Sequence, residues 1–136
     1  MLLSEGPALP QREVVDAFLA ASRGGDFHAL LALLDPDVVL RADPAAVQAS
    51  ASRQGEGAPT LAAEARGAAV VADAFSGRAR AAQLALVNGA PGAVWAPGGQ
   101  PRVAFTFTIA RGRIAAIDIL ADPGHLRRLD LVILND

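Results

Sequence analysis

The stretch Arg102-Val103-Ala104-Phe105-Thr106-Phe107-Thr108-Ile109-Ala110-Arg111-Gly112-Arg113-Ile114-Ala115-Ala116-Ile117-Asp118-Ile119-Leu120 decides how this chain folds. From Arg102 to Ala110 its residues alternate. Val103, Phe105, Phe107 and Ile109 fall on one face, and Ala104, Thr106 and Thr108 on the other. A period of two is the pattern of a half-buried strand. Arg111-Gly112 makes a tight turn, and Arg113 to Leu120 returns as the second arm of a hairpin.

Upstream of that hairpin, Leu84-Ala85-Leu86-Val87 runs into Asn88-Gly89, a two-residue turn signal, and predicts another strand. Ala93 to Ala96 is a short strand between Pro91-Gly92 and Pro97-Gly98-Gly99. Downstream, Asp122-Pro123 sets an N-cap before a proline at the first helical position, which opens a short helix through Leu129. Leu131 to Leu134 is an apolar segment that needs cover.

The N-terminal part has a helical period instead. Pro10 suits the start of a helix whose buried stripe is Val14, Val15, Phe18 and Leu19, and Gly24-Gly25 stops it. Asp26 caps a second helix with Phe27, Leu30, Leu31 and Leu34 on one face, ended by Asp35-Pro36. Val38 to Asp43 reads as a strand, with Val38, Leu40 and Ala42 on one side and Val39, Arg41 and Asp43 on the other. Residues 44–65 are expected to form a flap, with a helical turn near Ala45 to Ala49 and an extended piece near Thr60 to Ala65. Gly67 to Gly77 brackets a third helix that turns Val70, Val71, Ala74 and Phe75 inward. The layout is α+β: a curved, mainly antiparallel sheet folded over three helices, with a cavity between the layers. Residues 1–9 read as a tail or linker and 10–134 as one domain.

Composition narrows the function classes. The chain has 136 residues and a formal charge of −2; its hydrophobic content is 52% and it has no Cys and no Tyr. All 12 basic residues are arginine. Apolar content this high argues against disorder, and the missing cysteines remove disulfides and thiolate metal sites. No basic cluster points to a nucleic-acid binder, and no apolar run approaches the length of a membrane span. A cytoplasmic location without a membrane anchor is the expectation, and no cofactor or metal site is indicated.

Few residues offer chemistry. The two histidines, His28 and His125, fall in first turns of predicted helices. Ser76 lacks the upstream glycine of a nucleophile elbow. Arg41 and Asp43 share a strand face with Val39. If that face lines a cavity, Asp43 is a candidate general base with Arg41 keeping it ionised; if not, the two form a surface ion pair. Trp95, Phe105 and Phe107 are candidates to line a ligand pocket, or to be core. Asn88 and Asp118 are polar residues within or beside strands, and Thr106 and Thr108 lie on the opposite face, where a second copy could pair.

Three stretches carry a family resemblance: Leu33-Leu34-Asp35-Pro36-Asp37-Val38-Val39-Leu40-Arg41-Ala42-Asp43, Ala85-Leu86-Val87-Asn88-Gly89-Ala90-Pro91-Gly92, and Arg111-Gly112-Arg113-Ile114 through Leu126. The sequence resembles the SnoaL-like C-terminal extension of actinobacterial extracytoplasmic-function sigma factors. That branch belongs to the nuclear-transport-factor-two-like superfamily, whose cone-shaped domains include ketosteroid isomerases and polyketide cyclases. The family's Asp-Gly-Gly-Gly-Lys motif stands here as Asp43-Pro44-Ala45-Ala46-Val47, and its Asn-Pro-Asp-Lys-Leu motif as Asp122-Pro123-Gly124-His125-Leu126. The resemblance implies a regulatory domain that works with sigma core regions and RNA polymerase, with no direct nucleic-acid contact of its own. A small apolar ligand in the cone (lined by Val39, Arg41, Asp43, Trp95, Phe105 and Phe107) and a homodimer are further expectations. The alternative is a stand-alone SnoaL-like isomerase, cyclase or hydrolase using Asp43 as base and Arg41 beside it. The isomerases' oxyanion tyrosine has no counterpart in a chain without Tyr, and Asp118 is the late-strand carboxylic acid that would have to replace it.

Overall fold

The structure, a computed structural model, describes residues 10–52, 62–78 and 81–134. Helix α1 (Gln11–Gly24) starts directly after Pro10 and ends where Gly25 turns left-handed at φ 66°. That conformation strains any residue with a Cβ, and it lets the Gly25 and Asp26 N–H groups close on Ser22 and Ala21 carbonyls. Helix α2 (Phe27–Leu33) follows at once, with the Asp26 carboxylate accepting the Ala29 N–H as its cap.

Seven strands form one curved sheet. They are β1 (Leu34–Ala42), β2 (Glu64–Arg66), β3 (Gln83–Val87), β4 (Ala90–Trp95), β5 (Val103–Ala110), β6 (Arg113–Leu120) and β7 (Leu131–Ile133), in the order β2-β1-β6-β5-β4-β3-β7. Every pairing is antiparallel except β1 with β6. The β1 register shifts between Leu34 and Val39, across Pro36, which has no N–H to give to a ladder. The stretch from which the fold was read forms the β5–β6 hairpin, with Arg111 at φ 57° and Gly112 at φ 77° in its turn.

Helices α1, α2 and α4 (Ala68–Phe75) supply one side of the core. Val14, Val15, Phe18, Leu30, Val71 and Phe75 meet Val38 and Leu40 of β1 and Ile117 and Ile119 of β6. Burial of these side chains is the main force holding helices to sheet. Ser22, buried on α1, lies with its Oγ 2.7 Å from the Phe75 carbonyl and 2.8 Å from that of Arg78, which ties the end of α4 to α1.

The structure adds to the sequence reading in three places. The helical turn expected near Ala45 to Ala49 extends to a nine-residue helix, α3 (Pro44–Ser52), and the extended piece expected near Thr60 to Ala65 continues as the three-residue strand β2; residues 53–61 lie outside the described residues, as does the tail over 1–9. The short helix expected after Asp122 is α5 (Pro123–Arg128), and with α3 it joins the three helices packed on the sheet, five α-helices among the described residues. The apolar segment near the C-terminus is an edge strand: β7 pairs with β3, and the Leu134 N–H donates to the Leu84 carbonyl. Pairing of the Asn88 side chain and backbone with Asp130 fastens this returning segment to the β3–β4 turn.

Candidate functional site

The two faces of the sheet assign the candidate residues. Val38 and Leu40 point into the helix-covered core, so their neighbours Val39 and Arg41 point away from it. The register puts Glu64, Arg41, Asp118, Thr106 and Gly92 in one row across five strands on that outer face. Arg41 donates from Nε to Asp118 Oδ1 at 2.8 Å and from Nη2 to Oδ2 at 3.0 Å. This fork pushes the guanidinium pKa above its ordinary value, through the hydrogen bond first and the Asp118 charge second. Half of the Arg41 side chain is exposed, at 52%. The expected cavity face of Val39, Arg41 and Asp43 is therefore corrected: Val39 and Arg41 lie on the outer sheet surface.

Asp43 has a different task. Its Oδ1 accepts the Ala46 N–H at 2.7 Å, and its backbone carbonyl accepts the Val47 N–H, so it is the N-cap of α3. Its Oδ2 accepts the N–H groups of Ala121 at 2.9 Å and Asp122 at 3.0 Å, at the start of the β6–α5 connection. One carboxylate thus clasps α3 to the C-terminal end of β6. Asp122 repeats the capping pattern one step on, accepting the His125 N–H at 2.8 Å to start α5.

Phe105 and Phe107 are part of the core. Phe107 stacks edge-on against Phe18 at 5.4 Å, Phe18 against Phe75 at 5.1 Å, and Phe75 against Phe105 at 6.4 Å. Of the two readings open for these residues, core or pocket lining, the ring contacts place them in an aromatic chain between helices and sheet, with Phe107 half-buried. The apolar period that identified the strand is satisfied by helix contact.

Trp95 does stand at a cavity. At the end of the sheet, an open cleft of about 520 Å³ lies between α3, the β4–β5 connection and α5. Ala45 and Ala49 of α3, Trp95 of β4, Val103 of β5, and Ala121, Pro123 and Leu126 around the start of α5 line it. Gln100, Pro101, Arg102 and Arg127 complete the lining. The short 3-10 turn Pro97–Gly99, with Gly98 at φ 64°, swings the chain from β4 to β5 and sets this edge. The Asp43 clasp joins two of the three walls. Sequence reasoning reached Trp95 and missed the rest, because the alanines, prolines and arginines come from three separate segments. The clasp did have a signal: Asp43-Pro44 repeats the cap-and-proline pattern of Asp122-Pro123.

His28 is exposed on α2 and His125 is half-buried on α5. Among the described residues no group of three or more His, Cys, Asp or Glu side chains is placed to hold a metal, and no helix is long and apolar enough to cross a membrane.

Comparison with solved structures returns the resemblance read from the sequence. The extracytoplasmic function sigma factor SigJ of Mycobacterium tuberculosis superposes with a TM-score of 0.56 at 29% identity, over 83% of this chain and 42% of the sigma factor. The chain thus spans less than half of that protein's length. An NTF2-like protein of unknown function from Cytophaga hutchinsonii matches with a TM-score of 0.52 at 12% identity, over 91% of this chain and 100% of its own. A protein of unknown function with cystatin-like fold from Xanthomonas campestris matches with a TM-score of 0.50 at 15% identity, over 82% of this chain and 89% of its own. At such identities the last two speak for the fold alone. No protein-family model and no curated protein matches the chain. The fold is the NTF2-like cone.

Proposed function

We propose that this chain is a regulatory domain of an extracytoplasmic-function sigma factor, acting in the cytoplasm on sigma core regions in the same polypeptide and on RNA polymerase. The observation that carries this reading is the likeness to the M. tuberculosis sigma factor, at 29% identity against 12% and 15% for the two other structures described above. The chemistry agrees with it. Asp43, the carboxylate a cone-shaped enzyme would use as base, already accepts three backbone N–H bonds. A carboxylate has about four lone-pair sites, so little of Asp43 is left for a substrate proton. Arg41 is turned to the outer face and held by Asp118. In this reading the domain leaves DNA contact to the sigma core, and the cleft at Trp95 is where a small molecule would be sensed.

The first test is the reading frame that precedes Met1 in the genome. A frame encoding sigma core regions is expected, and a frame without them overturns the proposal. The second is promoter-directed transcription with purified RNA polymerase, comparing the full sigma polypeptide with one lacking residues 10–134. A several-fold change in transcript yield is expected. Equal yield across promoters refutes regulation by this domain.

A further inference from the structure

The geometry points to the Trp95 cleft as a binding site for a small amphipathic carboxylic acid, with an aromatic or aliphatic body and one anionic head. The inference deepens the sensing part of the proposal above by naming the ligand class, and rests on that part alone.

Its apolar wall is Ala45, Ala49, Val103 and Leu126, with the Trp95 indole as its one large aromatic surface. Indole stacks on flat or extended hydrocarbon, and the alanines beside it in the lining are the smallest apolar side chains. The head is specified by charge. Two lining residues are arginines, Arg102 and Arg127, and none is Asp or Glu. Both arginines are exposed, and among the described residues neither forms an ion pair with a protein carboxylate. The molecule as a whole carries −2, and the Asp43 carboxylate behind the wall is taken up by three backbone N–H bonds, so the two guanidiniums are the charged groups that line the cleft. A guanidinium beside an apolar, partly desolvated wall favours a planar carboxylate that it can grip through two N–H bonds. The cleft volume of about 520 Å³ falls within the roughly 300–1,000 Å³ of small-ligand pockets. The Asp43 clasp fixes the spacing of two walls, so occupation of the cleft bears directly on how α3 and α5 sit.

The sole tryptophan of the chain lines the site, which makes its emission a direct reporter. The probes are 3-phenylpropionate and its neutral counterpart 3-phenylpropanamide, titrated into the full 136-residue protein. A saturable change in Trp95 emission is expected with the acid, at least fivefold weaker with the amide, and weakening as salt is raised. Arg102→Gln combined with Arg127→Gln is expected to lower acid affinity at least tenfold and amide affinity by less than threefold. Ala49→Phe, which fills the apolar wall, is expected to lower affinity for both probes. Circular dichroism and the thermal midpoint establish that each variant is folded; should the double variant unfold, Arg127→Gln alone is read the same way, with a smaller loss expected. No saturable response to the acid up to millimolar concentration overturns the inference. So does equal affinity for acid and amide, or an arginine variant that binds the acid as well as the unaltered protein. The two proposals fail separately. Binding with unaltered transcription removes regulation and leaves the site, and regulation without binding does the reverse.

Discussion

Asp43 shows how a residue type can be recognised while its task is misread. A lone carboxylate at a strand end, next to an arginine, carries the marks of a general base when only the sequence is in view. The register then separates the two: Arg41 faces outward to Asp118, while Asp43 turns to cap α3 and hold the Ala121 and Asp122 N–H groups. Spacing of i, i+2 says which side of a strand a residue starts from, but not what the next turn does with a residue just past its end. Asp43→Ala removes a helix cap and two further charge-assisted bonds, and a loss of about 2–3 kcal/mol in urea-unfolding stability is expected. Asp43→Asn keeps an acceptor oxygen and should lose less. The Arg41–Asp118 fork is exposed, so a double-mutant cycle with Arg41→Gln and Asp118→Asn should give a coupling of only about 0.5 kcal/mol, shrinking in high salt. Because the folded pKa of Arg41 is raised, its contribution is fully present below the unfolded arginine value. It is lost only as pH rises through the still higher folded value, and an alkaline scan to pH 10 should leave it unchanged.

Among the elements, those with a strong period were legible and those built from alanine were not. The β5–β6 hairpin, α1, α2 and the capped α5 all follow from apolar spacing and turn residues. Helix α3 is PAAVQASAS, whose small side chains give neither a polar nor an apolar face to detect, although its Asp-Pro start was in plain view. β2 is three residues long and takes its conformation from its partner β1. The alternation of β5 located Phe105 and Phe107 on an inward face correctly, yet whether that face meets helices or a cavity depends on α1 and α4, which pack from other parts of the chain. On β4, Gly92 is required by close approach: a Cβ there would stand 2.5 Å from the Phe105 carbonyl oxygen and 3.1 Å from Val87 Cγ2. Gly92→Ala is expected to cost about 2 kcal/mol or more, read as a lowered urea midpoint, since backbone rather than a flexible side chain must give way. Gly25→Ala, at a left-handed helix end where a Cβ would meet Gly77 and Ser76 only at ordinary contact distance, should cost about 1 kcal/mol.

For the whole molecule, the strand order has a consequence for assembly. The single parallel pairing joins β1, near the start of the described chain, to β6, near its end; Arg41 and its partner Asp118 are 77 positions apart. Such contacts demand that a long loop close before they return any stabilisation. Shortening the chain after Ala110 removes β6 and takes from β1 its partner on that side, and loss of the cooperative urea transition followed by circular dichroism is expected. During synthesis the same order applies in time. Within this domain α1 to α4 and β1 leave the ribosome ahead of the meander, but the strand that joins them to β3–β5 is the last but one of the seven strands to emerge. Until then Val38 and Leu40 have a half-built sheet, and the nascent polypeptide presents an unpaired edge. Completion of this cone therefore waits for β6, and until it pairs the early half depends on chaperones or on speed to remain unaggregated.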